Sequence, residues 1–283
     1  MNEKIMLWND RESSYIKTFL LNDGQEHPAV LIIPGGGYQC VCEPAEGGPI
    51  AERFNTLGLH AFVLVYRVYP HTFPAPQQDA MRAMKIIRTR AAEWNIHPDR
   101  IGICGFSAGG HLGASLGTSM VETVDASGGD SFDQASHVPN FLILSYGVLS
   151  FQDGLDAAQC AQHLLGDEAA ARDKLKYSPD LCVTEKTPPC FIWHTIADQM
   201  VNYQCSILFA QALARKKIPL ELHLFPRGVH GMLQGIDTPD ISAWMPLARR
   251  FIAIHTGEIE TNPECYTYAY QCKAENSRPG PLR

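Results

Sequence analysis

A serine stands between glycines in Gly105-Phe106-Ser107-Ala108-Gly109-Gly110, directly after Arg100-Ile101-Gly102-Ile103-Cys104, a run that reads as a short buried strand. A strand feeding straight into such a turn constrains the fold more than any other feature of the chain. It predicts a sharp strand-to-helix corner that holds Ser107 in a strained backbone conformation, with its hydroxyl exposed above the carboxyl edge of a parallel sheet. Side chains at positions 105 and 109 would collide with the neighbouring strand and helix. The following Gly110-His111-Leu112-Gly113-Ala114-Ser115-Leu116 supplies the small and apolar residues of a helix packed close to that sheet. Taken alone, the pattern also fits a glycine-rich turn that merely packs tightly or binds a phosphate.

The rest of the chain alternates as that corner requires. Runs at Ile5 to Trp8 and Tyr15 to Leu21 precede Ala29-Val30-Leu31-Ile32-Ile33, which breaks into Pro34-Gly35-Gly36-Gly37-Tyr38. A helix is expected over Pro49 to Leu57, a strand over Ala61 to Tyr66, and a long helix over about Pro76 to Trp94 with Asp79, Arg82 and Lys85 on its polar side. Strands at Asn140 to Tyr146, Cys190 to His194 and Leu220 to Phe225 continue the pattern, with helices near Asn202 to Arg215 and Ile241 to Ile254. Alternating strand and helix implies an α/β fold with a mainly parallel central sheet and helices on both faces. Val121 to Val138 reads as a loop. Residues 153–189 hold two short helical pieces, Ala157 to Leu165 and Ala169 to Lys176, expected to lie over the sheet edge as a small lid. Residues 1–257 read as a single domain, and 258–283 as a tail without periodicity.

Composition narrows the function. A formal charge of −7 with scattered Lys and Arg gives no basic stripe, so nucleic acid is not an expected partner. The longest apolar runs have strand length, far short of a membrane span. The N-terminus lacks a signal-peptide pattern, and nine cysteines without paired zinc-type spacing fit reduced thiols, so a cytoplasmic protein is expected. No cofactor or metal is called for. Cys40 and Cys42 form a C-x-C pair beside the glycine loop, a weak redox or metal signal.

A serine hydroxyl needs a base, and the base needs a partner that fixes its tautomer and stabilises its charge. Asp198 follows the strand ending at His194, and His230 follows the strand ending at Phe225. Both therefore fall beyond the carboxyl ends of strands, at the sheet edge that carries Ser107. The chain order Ser, Asp, His is the one an open sheet of this kind uses. His194, His111, Asp237 and Asp240 compete for these roles, and Ser107, Asp198 and His230 are the preferred set. Donors for a developing oxyanion are expected from the amide of Ala108 at the helix start and from Gly36 and Gly37, where no side chain blocks the approach.

These residues resemble the α/β-hydrolase fold, and within it the microbial acetyl esterases and acetyl-xylan esterases, over roughly residues 28 to 256. The resemblance is carried by Pro34-Gly-Gly-Gly-Tyr38, Tyr66-Arg67, Phe73-Pro74-Ala75-Pro76 leading to Asp79, Asp99-Arg100-Ile101-Gly102, Gly105 to His111, Asp198 and Pro226-Arg-Gly-Val-His-Gly231. It implies a serine esterase acting without a metal, with the triad and oxyanion donors named above. Hormone-sensitive-lipase-like relatives carry His at the position of Pro34. Prolyl-peptidase-like relatives place Tyr after the nucleophile, where this chain has Ala108. Kynurenine formamidase-like relatives have a loop that Pro34 to Gln39 matches only in part.

The expected substrate is a small ester, chiefly an acetylated saccharide such as a xylo-oligosaccharide, with Tyr38, Tyr66 and Trp193 as candidates to stack on sugar rings or else to pack in the core. Two alternatives stand beside it: a broad short-chain carboxylesterase, and a non-catalytic binder on the same fold. Self-association into a homo-oligomer is left open.

Overall fold

The computed structural model describes residues 3–9, 11–155 and 158–260. The expected tail beyond residue 260, with Cys265 and Cys272, lies outside the described residues, as does Ala157. Among the described residues, eight strands form one sheet in the order β1-β2-β4-β3-β5-β6-β7-β8. They are β1 (Lys4–Trp8), β2 (Arg11–Phe19), β3 (His27–Ile33), β4 (His60–Val65), β5 (Ile96–Phe106), β6 (Leu142–Ser145), β7 (Cys190–Thr195) and β8 (Leu220–Phe225). The β1–β2 and β2–β4 pairs are antiparallel, and every pair from β4 through β3 to β8 is parallel.

The interior parallel strands β3, β4, β6 and β7 are nearly continuous apolar runs because both of their faces are covered. Leu31, Leu144 and Ile192 point into one core, while Val30, Ile32, Ile143 and Phe191 point into the other. Six of the helices are α1 (Glu43–Glu46), α2 (Gly48–Thr56), α3 (Ala75–Thr89), α4 (Ala108–Leu116), α5 (Ala158–Leu165) and α6 (Asp167–Asp173), and α7 (Gln204–Arg215) and α8 (Trp244–His255) follow. Buried residues of α3, α4, α5 and α7 belong to the first core, and those of α2 and α8 to the second.

The helix α3 differs from the sequence expectation in two ways. The long helix stops at Thr89, and a separate 3-10 turn covers Ala91–Trp94 before Asn95 turns left-handed at φ 54°. More consequentially, the polar side of α3 does not face solvent: Asp79, Arg82 and Lys85 are all buried. The β1–β2 hairpin and the 121–138 segment cover it, and together with Arg67, just beyond β4, they satisfy its charges. Asp79 accepts from Trp8 Nε1 (2.7 Å) and the Arg67 guanidinium (2.8 Å), while Arg82 donates to the Leu7 carbonyl (3.0 Å) and pairs with Asp130 and Asp133. Periodicity identifies a charged helix face but not what packs on it.

Candidate active site

Ser107 occupies the corner between β5 and α4 with φ 52° and ψ −119°, a left-handed conformation for a residue that carries a side chain. The neighbouring strand holds it there: its amide donates to the Ser145 carbonyl at 3.0 Å, and its own carbonyl accepts from the Val148 amide at 3.1 Å. The flanking glycines are sterically required. A Cβ on Gly105 would lie 2.3 Å from the Gly109 carbonyl oxygen, and one on Gly109 would lie 2.0 Å from that of Ile33.

Asp198 lies in the turn after β7 and His230 in the loop after β8. The Ser107 hydroxyl is 2.9 Å from His230 Nε2, and His230 Nδ1 donates to Asp198 Oδ2 at 2.7 Å. The three residues, separated by up to 123 positions in the chain, thus form one hydrogen-bonded row. Asp198 takes two further donors on Oδ1, the amides of Met200 (2.8 Å) and Val201 (3.0 Å). Burial alone would raise its pKa, but hydrogen bonds from His194, His230 and Val201 outweigh that and hold the carboxyl well below the usual carboxylate range.

The competing residues fall elsewhere. His194 is buried, and its Nε2 also reaches Asp198 Oδ2 (3.2 Å) while donating to the Val201 carbonyl (3.0 Å); its Nδ1 accepts from Ser206. It therefore braces the carboxylate from behind. His111 is sealed inside, accepting from the Tyr38 hydroxyl and donating to the Tyr177 carbonyl, and burial lowers its pKa to about 4. Asp240 pairs with Arg227 on the surface.

The glycine loop after β3 and the start of α4 meet beside Ser107. Gly36 (φ 123°) and Gly37 (φ 63°) line the cleft, and Ala108, at the first position of α4, has an amide that no helical carbonyl can take. Neither Gly36 nor Gly37 donates a backbone hydrogen bond among the described residues.

Ser107 and His230 open into a cleft of about 430 Å³. Its walls are largely apolar, with Ala45, Val148, Met200 and Leu233, and its polar groups include Gln39, Gln159 and His163. Gln159, Cys160 and His163 come from α5, whose His163 donates to the Gly37 carbonyl at 2.9 Å. The aromatic residues considered for sugar stacking are not in it. Tyr38, Tyr66 and Trp193 are fully enclosed, and each polar end is spent inside: Tyr66 on the Pro34 carbonyl, Trp193 on Ser145 and Tyr38 on His111.

Sequence reasoning missed Glu46 and Tyr146. Glu46 is the last residue of the short α1, 5% exposed, and takes the Gly35 amide on Oε2 (2.6 Å) and the Tyr146 hydroxyl on Oε1 (2.9 Å). Burial pushes its carboxyl above the ordinary range, against the two hydrogen bonds. Tyr146 follows β6 with φ 38°, and its ring stands edge-on to that of His230 at 5.0 Å. Only a glutamate four residues after Cys42 was visible in the sequence, and nothing there ties it to a tyrosine 100 positions away.

The family model described as BD-FAE matches residues 19–213. Endo-1,4-beta-xylanase B of Butyrivibrio fibrisolvens is 35% identical over 244 residues, covering 82% of this chain and 38% of that protein. An acetylxylan esterase of Xylanibacter ruminicola is 30% identical over 249 residues, covering 82% of this chain and 49% of its own length. The chain therefore spans less than half of either curated relative. The crystal structure of an acetyl ester-xyloside bifunctional hydrolase from Caldicellulosiruptor lactoaceticus superposes with a TM-score of 0.80 at 33% identity, covering 88% of this chain and 94% of that one. No helix among the described residues is long and apolar enough to cross a membrane.

Proposed function

We propose, from the premise that the chain belongs to the BD-FAE family, that it is a serine carboxylic-ester hydrolase removing short acyl groups, chiefly acetyl, from sugars or xylo-oligosaccharides. The observation that carries the reading is the Ser107–His230–Asp198 row opening into a cleft beside unspent glycine amides.

In this mechanism His230 Nε2 takes the proton of Ser107 as Oγ attacks the ester carbonyl carbon. Asp198 fixes the Nδ1–H tautomer and balances the imidazolium that forms. The carbonyl oxygen becomes an oxyanion, for which the amides of Ala108, Gly36 and Gly37 are the donors. Collapse of the tetrahedral species breaks the ester C–O bond, and the alcohol leaves with the proton from His230. Water then gives its proton to His230, attacks the acyl-enzyme and releases the acid, restoring Ser107.

The reading of residues 153–189 as a small lid belongs to the same proposal, supported by the side chains of α5 in the cleft wall. The sugar preference draws its support from the names of the acetylxylan esterase and the acetyl ester-xyloside hydrolase, and from the polar groups Gln39, Gln159 and His163 among the lining residues. The apolar share of the same lining favours a second reading, a short-chain carboxylesterase with no sugar preference. Acetate release from acetylated xylo-oligosaccharides, measured beside an aryl acetate, separates the two. A higher kcat/KM on the sugar ester supports a carbohydrate deacetylase, and turnover of the aryl ester alone refutes it.

A further inference from the structure

The carboxylate of Glu46 is buried in the wall of the cleft, yet no step above uses it. Burying a carboxylate is costly unless its oxygens are taken up by donors, and both are. The two donors belong to the two halves of the machinery.

One is the amide of Gly35. This residue packs against the nucleophile so closely that a Cβ on it would meet Ser107 Cβ and the Phe106 carbonyl oxygen, each at 2.8 Å. Its carbonyl accepts from the Cys42 amide (3.0 Å), and the Gly36 carbonyl accepts from Gln39 (3.0 Å) and Cys40 (3.2 Å). The Gly35 and Gly36 carbonyls thus close the loop on itself, and Glu46 anchors it through an amide. The Gly37 carbonyl takes His163 Nδ1 (2.9 Å) and the Pro34 carbonyl takes the Tyr66 hydroxyl (2.8 Å), so among the described residues Glu46 supplies the anchor on the amide side of the loop, next to the open Gly36 and Gly37 amides. The other donor is the Tyr146 hydroxyl. Its ring braces the His230 imidazole edge-on, and its backbone is pinned to the Trp193 carbonyl at 2.8 Å despite a positive φ.

We infer that Glu46 is a positioning residue for the reaction, a single carboxylate that fixes the oxyanion loop with one oxygen and the ring supporting the base with the other. This role rests on the esterase reading. It concerns where the donors and the base stand when charge develops, so it acts on kcat rather than on substrate binding.

The side-chain alternatives separate the role from mere space filling. In Glu46→Gln the amide oxygen can accept from Gly35 while the NH2 donates to the Tyr146 hydroxyl, so both ties survive. Glu46→Leu fills similar space with no acceptor and leaves the Gly35 amide unpaired. The test measures kcat and KM on an aryl acetate, normalised to the Ser107 titrated by a fluorophosphonate, for wild type, Glu46→Leu, Glu46→Gln and Tyr146→Phe.

The expected result is a kcat per titrated serine lower by about 10- to 100-fold in Glu46→Leu, the size of a displacement near 1 Å. KM should stay within about threefold, Glu46→Gln should recover most of the loss, and Tyr146→Phe should fall between. A Glu46→Leu enzyme whose kcat per titrated serine stays within about twofold of wild type overturns the role, even if its melting point or titratable fraction drops. Wild-type protein that neither labels at Ser107 nor turns over any acetate ester overturns the esterase reading, and the Glu46 role with it.

Discussion

Replacing Asp198 by Asn tests the site at its most constrained point. Four donors converge on the carboxylate: His230 Nδ1 (2.7 Å) and His194 Nε2 (3.2 Å) on Oδ2, and the Met200 and Val201 amides (2.8 and 3.0 Å) on Oδ1. Asparagine offers one oxygen and one NH2, so one pair of donors must face another donor. The backbone amides cannot reverse, whereas an imidazole can change tautomer, so the NH2 settles on the histidine side. His230 must then carry its proton on Nε2, 2.9 Å from the Ser107 hydroxyl, where it cannot accept the nucleophile's proton. The expected loss is about 10⁴ in kcat, with KM and fold retained. That factor corresponds to about 5.5 kcal/mol of barrier. Initial rates on an aryl acetate, with a melting curve on the same sample, make the measurement. A folded Asp198→Asn enzyme within about tenfold of wild type would refute the assignment of His230 as the base and of Asp198 as its orienting partner.

Other outcomes follow from the same geometry. Ser107→Ala should lower turnover by about three to six orders of magnitude without unfolding the chain, since Ala removes only the hydroxyl; near-full activity would place the nucleophile elsewhere. Asp79→Ala should cost about 3–5 kcal/mol in urea denaturation, because Arg67 and the Trp8 indole lose a buried acceptor at once, and a cost under about 1 kcal/mol would contradict the covered face of α3. Gly109→Ala, whose Cβ would stand 2.0 Å from the Ile33 carbonyl oxygen, should cost about 3 kcal/mol or more, or prevent folding, as read by the denaturation midpoint. Asp198 also leaves a pH signature. Its folded pKa is depressed, so its contribution to stability is full above the unfolded value of about 3.9 and is lost as pH falls through the lower folded value. The stability gap between wild type and Asp198→Asn should therefore narrow as pH falls below about 4; a gap that widens over that range would reverse the sign.

How much of this was legible in the sequence depends on the range of the interaction. Strands buried on both faces announce themselves as apolar runs, and 29–33 and 190–194 fall where expected, while 220–225, half-buried, shows instead as leucines alternating with Glu221 and His223. The start of β5 did not: Ile96-His97-Pro98-Asp99 is polar, and it joins the strand through the pairing of Ile96 with His27 across a register shift. Ser107, Asp198 and His230 could be singled out because each follows a strand in a recognisable order, and the structure brings the three within hydrogen-bonding distance. The Glu46–Tyr146 tie joins two unremarkable residues through tertiary packing alone. The aromatic candidates failed for a related reason: composition counts tyrosines and tryptophans, but Tyr38, Tyr66 and Trp193 spend their polar ends on buried partners and face away from the cleft.

The three residues of the row do not hang from equally secure supports. β5 and β7, which deliver Ser107 and Asp198, are interior strands paired on both sides, whereas β8, which delivers His230, is the last strand of the sheet among the described residues and half-buried along its whole length. Separation of an edge strand needs one ladder of hydrogen bonds to break, and such openings lie at the low end of a protein's local stabilities. The proposed proton acceptor is therefore mounted on the most easily detached of the three supports. On warming, amide exchange in β8 should rise ahead of that in β5, and catalytic competence should fade while the nucleophile and its corner are still in place.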